Sequence, residues 1–418
     1  MKSHPLGVRT IYEIYRNGKL RYSNESFHQQ ENIVEVRINN PGMKEQILRF
    51  PFRSYVSNFM RVLNYSFLEV DNSTSGLAIN KIIKTTAGGA TYCAAEIAAM
   101  AVNEGQIAHA DATLFGIWIG DKYNTSRLGL TVETAIQEQI GYDNYRLRTL
   151  IIPDGGSPDT NVVYGATNVL ISNGDDTLTV KRRFNNTGAV TISIDEIGLV
   201  GKSGSDYFLL ARDAVTNPGI TGAFALVAGG TCEVSYTFSI TNASGWTRNY
   251  LRMLSSEFVG GNTLSAARDI NNTAYTVNFT GDRTTKDLLA AAENSNFGIV
   301  VGADTAPDAN PMYDTSSINL LDRIAHGTAY GQLSYGPVLP IDLTQVNNNT
   351  IFGLRRDFER GNTVGTFYPH SSGLIIRAGT DPYIYFLLGY DYIPSAGTNL
   401  ELLPGEILRV KYLFEARK

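Results

Sequence analysis

TLTVKRRFNNTGAVTISIDEIGLVGKSGSDYFLLARDAVTNPGITGAFALVAGGTCEVSYTF, residues Thr177–Phe238, decides the fold class. Thr177, Thr179 and Lys181 alternate with Leu178, Val180 and Arg182, and Thr191, Ser193 and Asp195 with Val190, Ile192 and Ile194. A period of two places one set of side chains toward a core and the other toward water. Asn185-Asn186-Thr187-Gly188 supplies the turn between the first two runs. The stretch is echoed by Thr350–Phe414: Phe184 matches Phe358 and Val190 matches Val364 at an offset of 174 (358 − 184). Val234, Tyr236 and Phe238 match Val410, Tyr412 and Phe414 at an offset of 176 (410 − 234), with Gly229 and Gly405 in the preceding turns. Three large residues on one face can anchor a core, at about 1.5–3 kcal/mol each when buried. Tyr236 and Tyr412 then need partners for their hydroxyls.

The echo extends upstream. Asn58–Phe67 matches Asn249–Phe258, Phe115–Gly120 matches Phe297–Gly302, and Tyr164-Gly165 matches Tyr335-Gly336. The expected fold is mainly β: two tandem antiparallel β-sandwich modules with short accessory helices, and a small N-terminal β-rich arm. The boundaries are an arm at 1–57, a first module at 58–241, a linker at 242–248 and a second module at 249–418. In the arm, Asn17-Gly18 between β-rich runs predicts a hairpin, and Val34–Ile38 and Gln46–Phe52 read as strands. Tyr250, Met253, Leu254 and Phe258 at helical spacing predict an amphipathic helix, as do Phe59, Val62, Leu63 and Phe67. Further short helices are expected over 90–102, 130–140, 284–292 and 316–324. In the first copy, strands are expected over 114–119, 161–163, 168–171, 177–184, 190–200, 208–211 and 231–240, and in the second over 296–301.

Composition sets limits on function. The chain has 418 residues, 43% hydrophobic and 18% charged, so each module can bury a sizeable core. The formal net charge of −5, with no basic blocks, argues against a nucleic-acid partner. No apolar run is long enough to span a membrane, and the first residues lack the apolar segment of a signal peptide. Two cysteines, Cys93 and Cys232, fall at unrelated places in the repeat and read as buried thiols.

No stretch carries a convincing catalytic, cofactor or metal motif. Asp195-Glu196 point to opposite faces of a strand, and their echo, Ser371-Ser372, has no carboxylate. Of Arg212-Asp213 and Tyr390-Asp391 only the acid recurs, as a turn-stabilising Asp would. His4, His28, His109, His326 and His370 make no zinc spacing, and His326-Gly327 reads as a helix C-cap. Gly88-Gly89 and Gly229-Gly230 match no phosphate loop, Asp304–Asp314 lacks the Glu of a calcium loop, and Asn242-Ala-Ser proves no glycosylation. Arg182-Arg183 and Arg355-Arg356 recur together, as solvated cations or as partners of an acidic neighbour or a second subunit.

The motifs resemble those of virion structural proteins of tailed bacteriophages. The residues that carry the likeness are Phe297–Gly302, Ile324–Thr328 (IAHGT), Gly331–Gly336 (GQLSYG), Arg182–Leu199 and Leu209–Asp213. The resemblance implies a non-enzymatic virion subunit of the tail, collar or fibre region. It implies a homo-oligomer, trimer or hexamer, packed against other virion proteins, with no cofactor. A capsid-decorating protein, or a module that binds a host-surface glycan through Tyr- and Asn-rich loops, is the alternative. A depolymerase would need two carboxylates at glycosidase separation, and no pair stands out.

Overall fold

A computed structural model describes residues 6–29, 31–51, 82–84, 90–92, 116–120, 162–172, 176–203, 206–215, 224–241, 245–259, 263–268, 271, 273–278, 295, 297–303, 323–328, 332–341, 350–361, 367–378, 384–393 and 401–416. The chain is mainly β. Its strands are β1 (Leu6–Arg16), β2 (Lys19–Gln29), β3 (Glu31–Asn39), β4 (Gln46–Pro51), β5 (Ile82–Lys84), β6 (Ala90–Tyr92), β7 (Gly116–Gly120), β8 (Val162–Ile171), β9 (Thr177–Asn186), β10 (Ile192–Ile194), β11 (Glu196–Ser203) and β12 (Asp206–Ala214). Then follow β13 (Phe224–Leu226), β14 (Thr231–Ser239), helix α1 (Arg248–Val259), β15 (Thr263–Arg268), β16 (Ala274–Asn278), β17 (Gly298–Ala303), β18 (Ser334–Tyr335), β19 (Leu339–Pro340), β20 (Thr350–Glu359), β21 (Pro369–Ala378), β22 (Ile384–Tyr392) and β23 (Glu406–Ala416).

Two pairs of sheets share one wiring. One sheet runs β4-β3-β14-β9-β8 and has a three-stranded neighbour, β12-β11-β7. The other runs β2-β1-β23-β20-β18, with β19 also on β20, and its neighbour is β22-β21-β17. The registers repeat as well. Phe184 faces Cys232 as Phe358 faces Leu408, and Leu199 faces Ile117 as Leu374 faces Ile299. The β11/β12 ladder slips after Leu199, and the β21/β22 ladder slips at the matching Leu374. The closing turns agree to single bonds: Gly229 N–H donates to Asn186 and Gly405 N–H to Arg360, with φ of 73° and 76° at the two glycines. Positive φ is why glycine recurs there.

Several expectations are corrected. Residues 6–51 do not form an arm outside the repeat. Hairpin β1–β2 pairs through β1 with β23, so that Leu6 faces Ala416, while hairpin β3–β4 pairs through β3 with β14. Each hairpin completes one large sheet, and the two hairpins are related by 24 residues (Val36 faces Val234 where Tyr12 faces Val410). The expected linker is bonded too: Trp246 bridges Gly389 and Thr247 N–H donates to Leu388. The strand expected over 190–200 is two strands in different sheets, parted at Asp195. The helix over 90–102 begins instead as strand β6, and Ile324 N–H donates to Val301, so the end of the 316–324 helix is extended chain. The pairing register also moves one echo by a residue: Glu196 matches Ser371 and Ile197 matches Ser372, because these face Gly120 and Gly302, and Asp213 and Asp391.

Other expectations hold. Asn17 and Gly18 have φ of 50° and 74°, the turn an Asn-Gly hairpin needs. Helix α1 buries Tyr250, Leu251, Met253 and Leu254, and Trp246 stacks on Tyr250 with centroids 4.2 Å apart. The first-copy counterpart at 58–67 and the helices over 130–140 and 284–292 lie outside the described residues.

Candidate functional site

Two polar constellations sit inside the fold. The first occurs twice. Arg182 on β9 and Arg356 on β20 have no exposed surface. The Nε of Arg182 donates to Gly165 at 2.8 Å and that of Arg356 to Gly336 at 2.7 Å. Nη1 of Arg182 reaches Ile117 on β7 at 3.2 Å, and Nη1 of Arg356 reaches Ile299 on β17 at 2.9 Å. Each guanidinium lies 4.7 Å from a tyrosine centroid, Tyr164 or Tyr335. Each of those rings meets a phenylalanine edge-on, Phe184 at 4.7 Å or Phe358 at 4.8 Å.

The local cause is legible. A planar cation with five donors can satisfy carbonyls on two facing sheets at once, and its face can stack on a ring. Gly165 and Gly336 are glycines because an added Cβ would stand 3.1 Å from the carbonyl oxygen of Arg183 or Asp357. Burial lowers both guanidinium pKa values to about 10, against a smaller opposing influence of the adjacent tyrosine. One arginine of each repeated pair is thus an internal strut held by backbone carbonyls and aromatic faces. Arg183 is the exposed member in the first copy and Arg355 the half-buried one in the second.

The second constellation belongs to the second pair of sheets. Asp391 on β22 is buried and gathers donors from the N-terminal hairpin. Tyr12 donates to its Oδ2 at 2.8 Å, Ser26 donates to the same oxygen, and His28 Nε2 lies 2.5 Å from Oδ1. Ser372 Oγ stands 2.9 Å from the Tyr12 hydroxyl and 2.7 Å from that of Tyr412. Because the single hydroxyl hydrogen of Tyr12 goes to Asp391, Ser372 must donate to Tyr12 and Tyr412 to Ser372. Hydroxyls therefore run in one direction, from Tyr412 to the carboxylate. Burial, then the charge of Asp391, pushes both tyrosines well above their ordinary pKa, so they remain donors.

This arrangement resembles a hydrolytic triad in composition alone. Nucleophile activation needs the histidine between serine and acid. Here the carboxylate is the hub, and Ser26 and His28 both point at it. The adjoining cavity, lined by His28, Gly245, Trp246 and Tyr412 among others, holds about 10 Å³, room for about one water. The network orders a core, and among the described residues the cavity beside it is too small for a substrate.

The remaining sequence candidates lie apart. Asp195 and Glu196 are both buried, and Ser193 donates to Asp195 at 3.2 Å. His326 is no helix cap: it bridges Leu333, and its Nδ1 accepts from Tyr335 N–H at 3.2 Å. Cys232 is a buried thiol whose pKa burial raises. Cys93, His4, His109, Gly88-Gly89, Asn242-Ala-Ser and 304–314 lie outside the described residues. Among the described residues no group of three His, Cys, Asp or Glu is placed to hold a metal ion, and no helix is long and apolar enough to cross a membrane. Sequence reasoning missed Tyr12, Ser26 and His28, because their partner lies more than 360 residues away. The recurrent Asp213/Asp391 was the one signal that could have found the site. Comparison with protein-family models, curated proteins and solved structures finds no match.

Proposed function

We propose that the chain is a non-enzymatic structural subunit of a tailed-bacteriophage virion, in the tail, collar or fibre region, and that it assembles with copies of itself and with other virion proteins. Each pair of sheets is read as one sandwich module. The observation that carries the reading is duplication down to single hydrogen bonds, as in the Arg182 and Arg356 struts. Two like modules in one chain let a trimer present six similar surfaces, or a hexamer twelve, which suits sixfold virion parts. The polar networks support the same reading, since their donors and acceptors are engaged in holding sheets together. Nothing specific favours a glycan-binding tip: among described residues the exposed large hydrophobics include one aromatic, Tyr368. The test is proteomic quantitation of gradient-purified particles. A fixed copy number per particle is expected; a chain found outside particles would overturn the reading.

A further inference from the structure

The two N-terminal hairpins are structurally equivalent and adjoin in the chain, β2 ending at Gln29 and β3 beginning at Glu31. Each could in principle dock on either β14 or β23, which share strand order and register. One row of charged side chains is inverted between them. Across β20, β23 and β1 it reads Asp357–Arg409–Glu13; across β9, β14 and β3 the matching row reads Arg183–Glu233–Arg37. The signs are inverted at all three positions.

The contacts around these rows are made. Arg409 holds both oxygens of Asp357, at 2.7 and 2.8 Å, and Lys411 reaches Glu13 at 2.6 Å. Lys181 pairs with Glu233 at 2.8 Å, and the charge of Glu233 adds to the rise in the Arg37 pKa that Glu35 leads. An exchange of hairpins would set Glu13 against Glu233 and Arg37 against Arg409. Directly opposed like charges destabilise a sheet. Lys411 would only trade Glu13 for Glu35, so the exchange gains no compensating pair. Beneath the row, Tyr12 would leave Asp391 and Ser372 for the apolar place of Val36, opposite Val234.

We propose that this charge-inverted row addresses each hairpin to its sheet, with Glu13 and Arg37 as the specificity-determining residues. The proposal does not depend on the virion reading. It is tested in the full chain by thermal melting and by two disulfide reporters. Tyr15→Cys with Ile407→Cys reports native docking, and Asn39→Cys with Ile407→Cys reports exchange, because Asn39 and Tyr15 occupy equivalent registers. The links are identified by mass spectrometry, which separates them from links to Cys93 or Cys232. The paired reversal E13R/R37E is expected to lower Tm by about 2–4 °C and to produce the 39–407 link. Adding R409E/E233R together with D357R/R183E, so that both rows are inverted whole, is expected to raise Tm again and leave the 15–407 link alone. An unchanged Tm with no 39–407 link in E13R/R37E would overturn the proposal. Should E13R/R37E fail to fold, recovery in the sixfold variant supports the proposal and continued failure overturns it.

Discussion

The two pairs of sheets carry the same buried arginine and differ around the same buried aspartate. Arg182 and Arg356 match in burial, in donors and in the 4.7 Å distance to a tyrosine. Asp213 and Asp391 share a register position but not a neighbourhood. Where Asp391 meets Tyr12, Ser26 and Ser372, the equivalent positions near Asp213 are Val36, Phe50 and Ile197. The arginine joins one sheet to its partner, so every copy needs it. The aspartate network joins the N-terminal hairpin to the far end of the chain, so one copy needs it.

The broadest test of what the halves share is alkaline stability. Tyr12 and Tyr412 in one half, and Tyr164, Tyr236 and Cys232 in the other, are raised chiefly by burial; Tyr335 is pushed up to about 12. An acid with a raised folded pKa contributes stability that is whole below its unfolded pKa and is lost as pH climbs above it. The arginines act oppositely, because their folded pKa is lowered to about 10. Each half thus sets the three buried acids named here against one buried arginine. Stability should fall by roughly 3 kcal/mol per pH unit per half above about pH 10. Phenolate absorbance should appear together with loss of circular dichroism; phenolates forming in a folded chain would break the parallel.

Truncating a strut comes next. Arg356→Ala removes the donors to Gly336, Phe297, Ile299 and Ser295 and leaves a cavity. A loss of roughly 3–5 kcal/mol in denaturant unfolding is expected. Arg182→Ala should cost a comparable amount, and lysine should rescue neither, since an ammonium lacks the planar fork. A cheap Arg182→Ala beside a costly Arg356→Ala would mean the likeness is geometric only.

Asp391→Asn should cost about 2–3 kcal/mol, because the hydrogen bonds from Tyr12 and Ser26 lose their charged acceptor and an amide N–H group is set among donors. Asp213→Asn should cost less, and equal losses would erase the distinction drawn between the halves. Tyr12→Phe removes one link of the hydroxyl chain, and its expected cost is about 1–2 kcal/mol. That cost should shrink after Asp391→Asn without vanishing, because the bond from Ser372 to Tyr12 remains, and a double-mutant cycle reads the difference directly.

The sequence made the local grammar plain and hid the long-range pairing. Asn17-Gly18, the alternation over Thr177–Phe184 and the helical spacing of Tyr250, Met253 and Leu254 are signals a few residues wide. The docking of β1 on β23 is not, because no periodicity tells one edge strand which distant edge it will meet. The equivalence of β1 and β3 was masked by the substitutions that make them distinct, Tyr12 for Val36 and Glu13 for Arg37. The repeated Arg-Arg pairs read as solvated cations or as partners of an acidic neighbour or a second subunit, since a basic residue on a strand is usually exposed. Their burial follows from carbonyls on a second sheet that only the folded chain brings within reach. The break at Asp195 leaves no local signal, because apolar alternation continues through it while the strand changes sheets.

The proposal that the duplicated modules serve assembly is tested most directly by the mass of the purified chain in solution, measured by light scattering over a wide concentration range. Three or six copies of the 45.7 kDa chain are expected. A single copy at every concentration would contradict it.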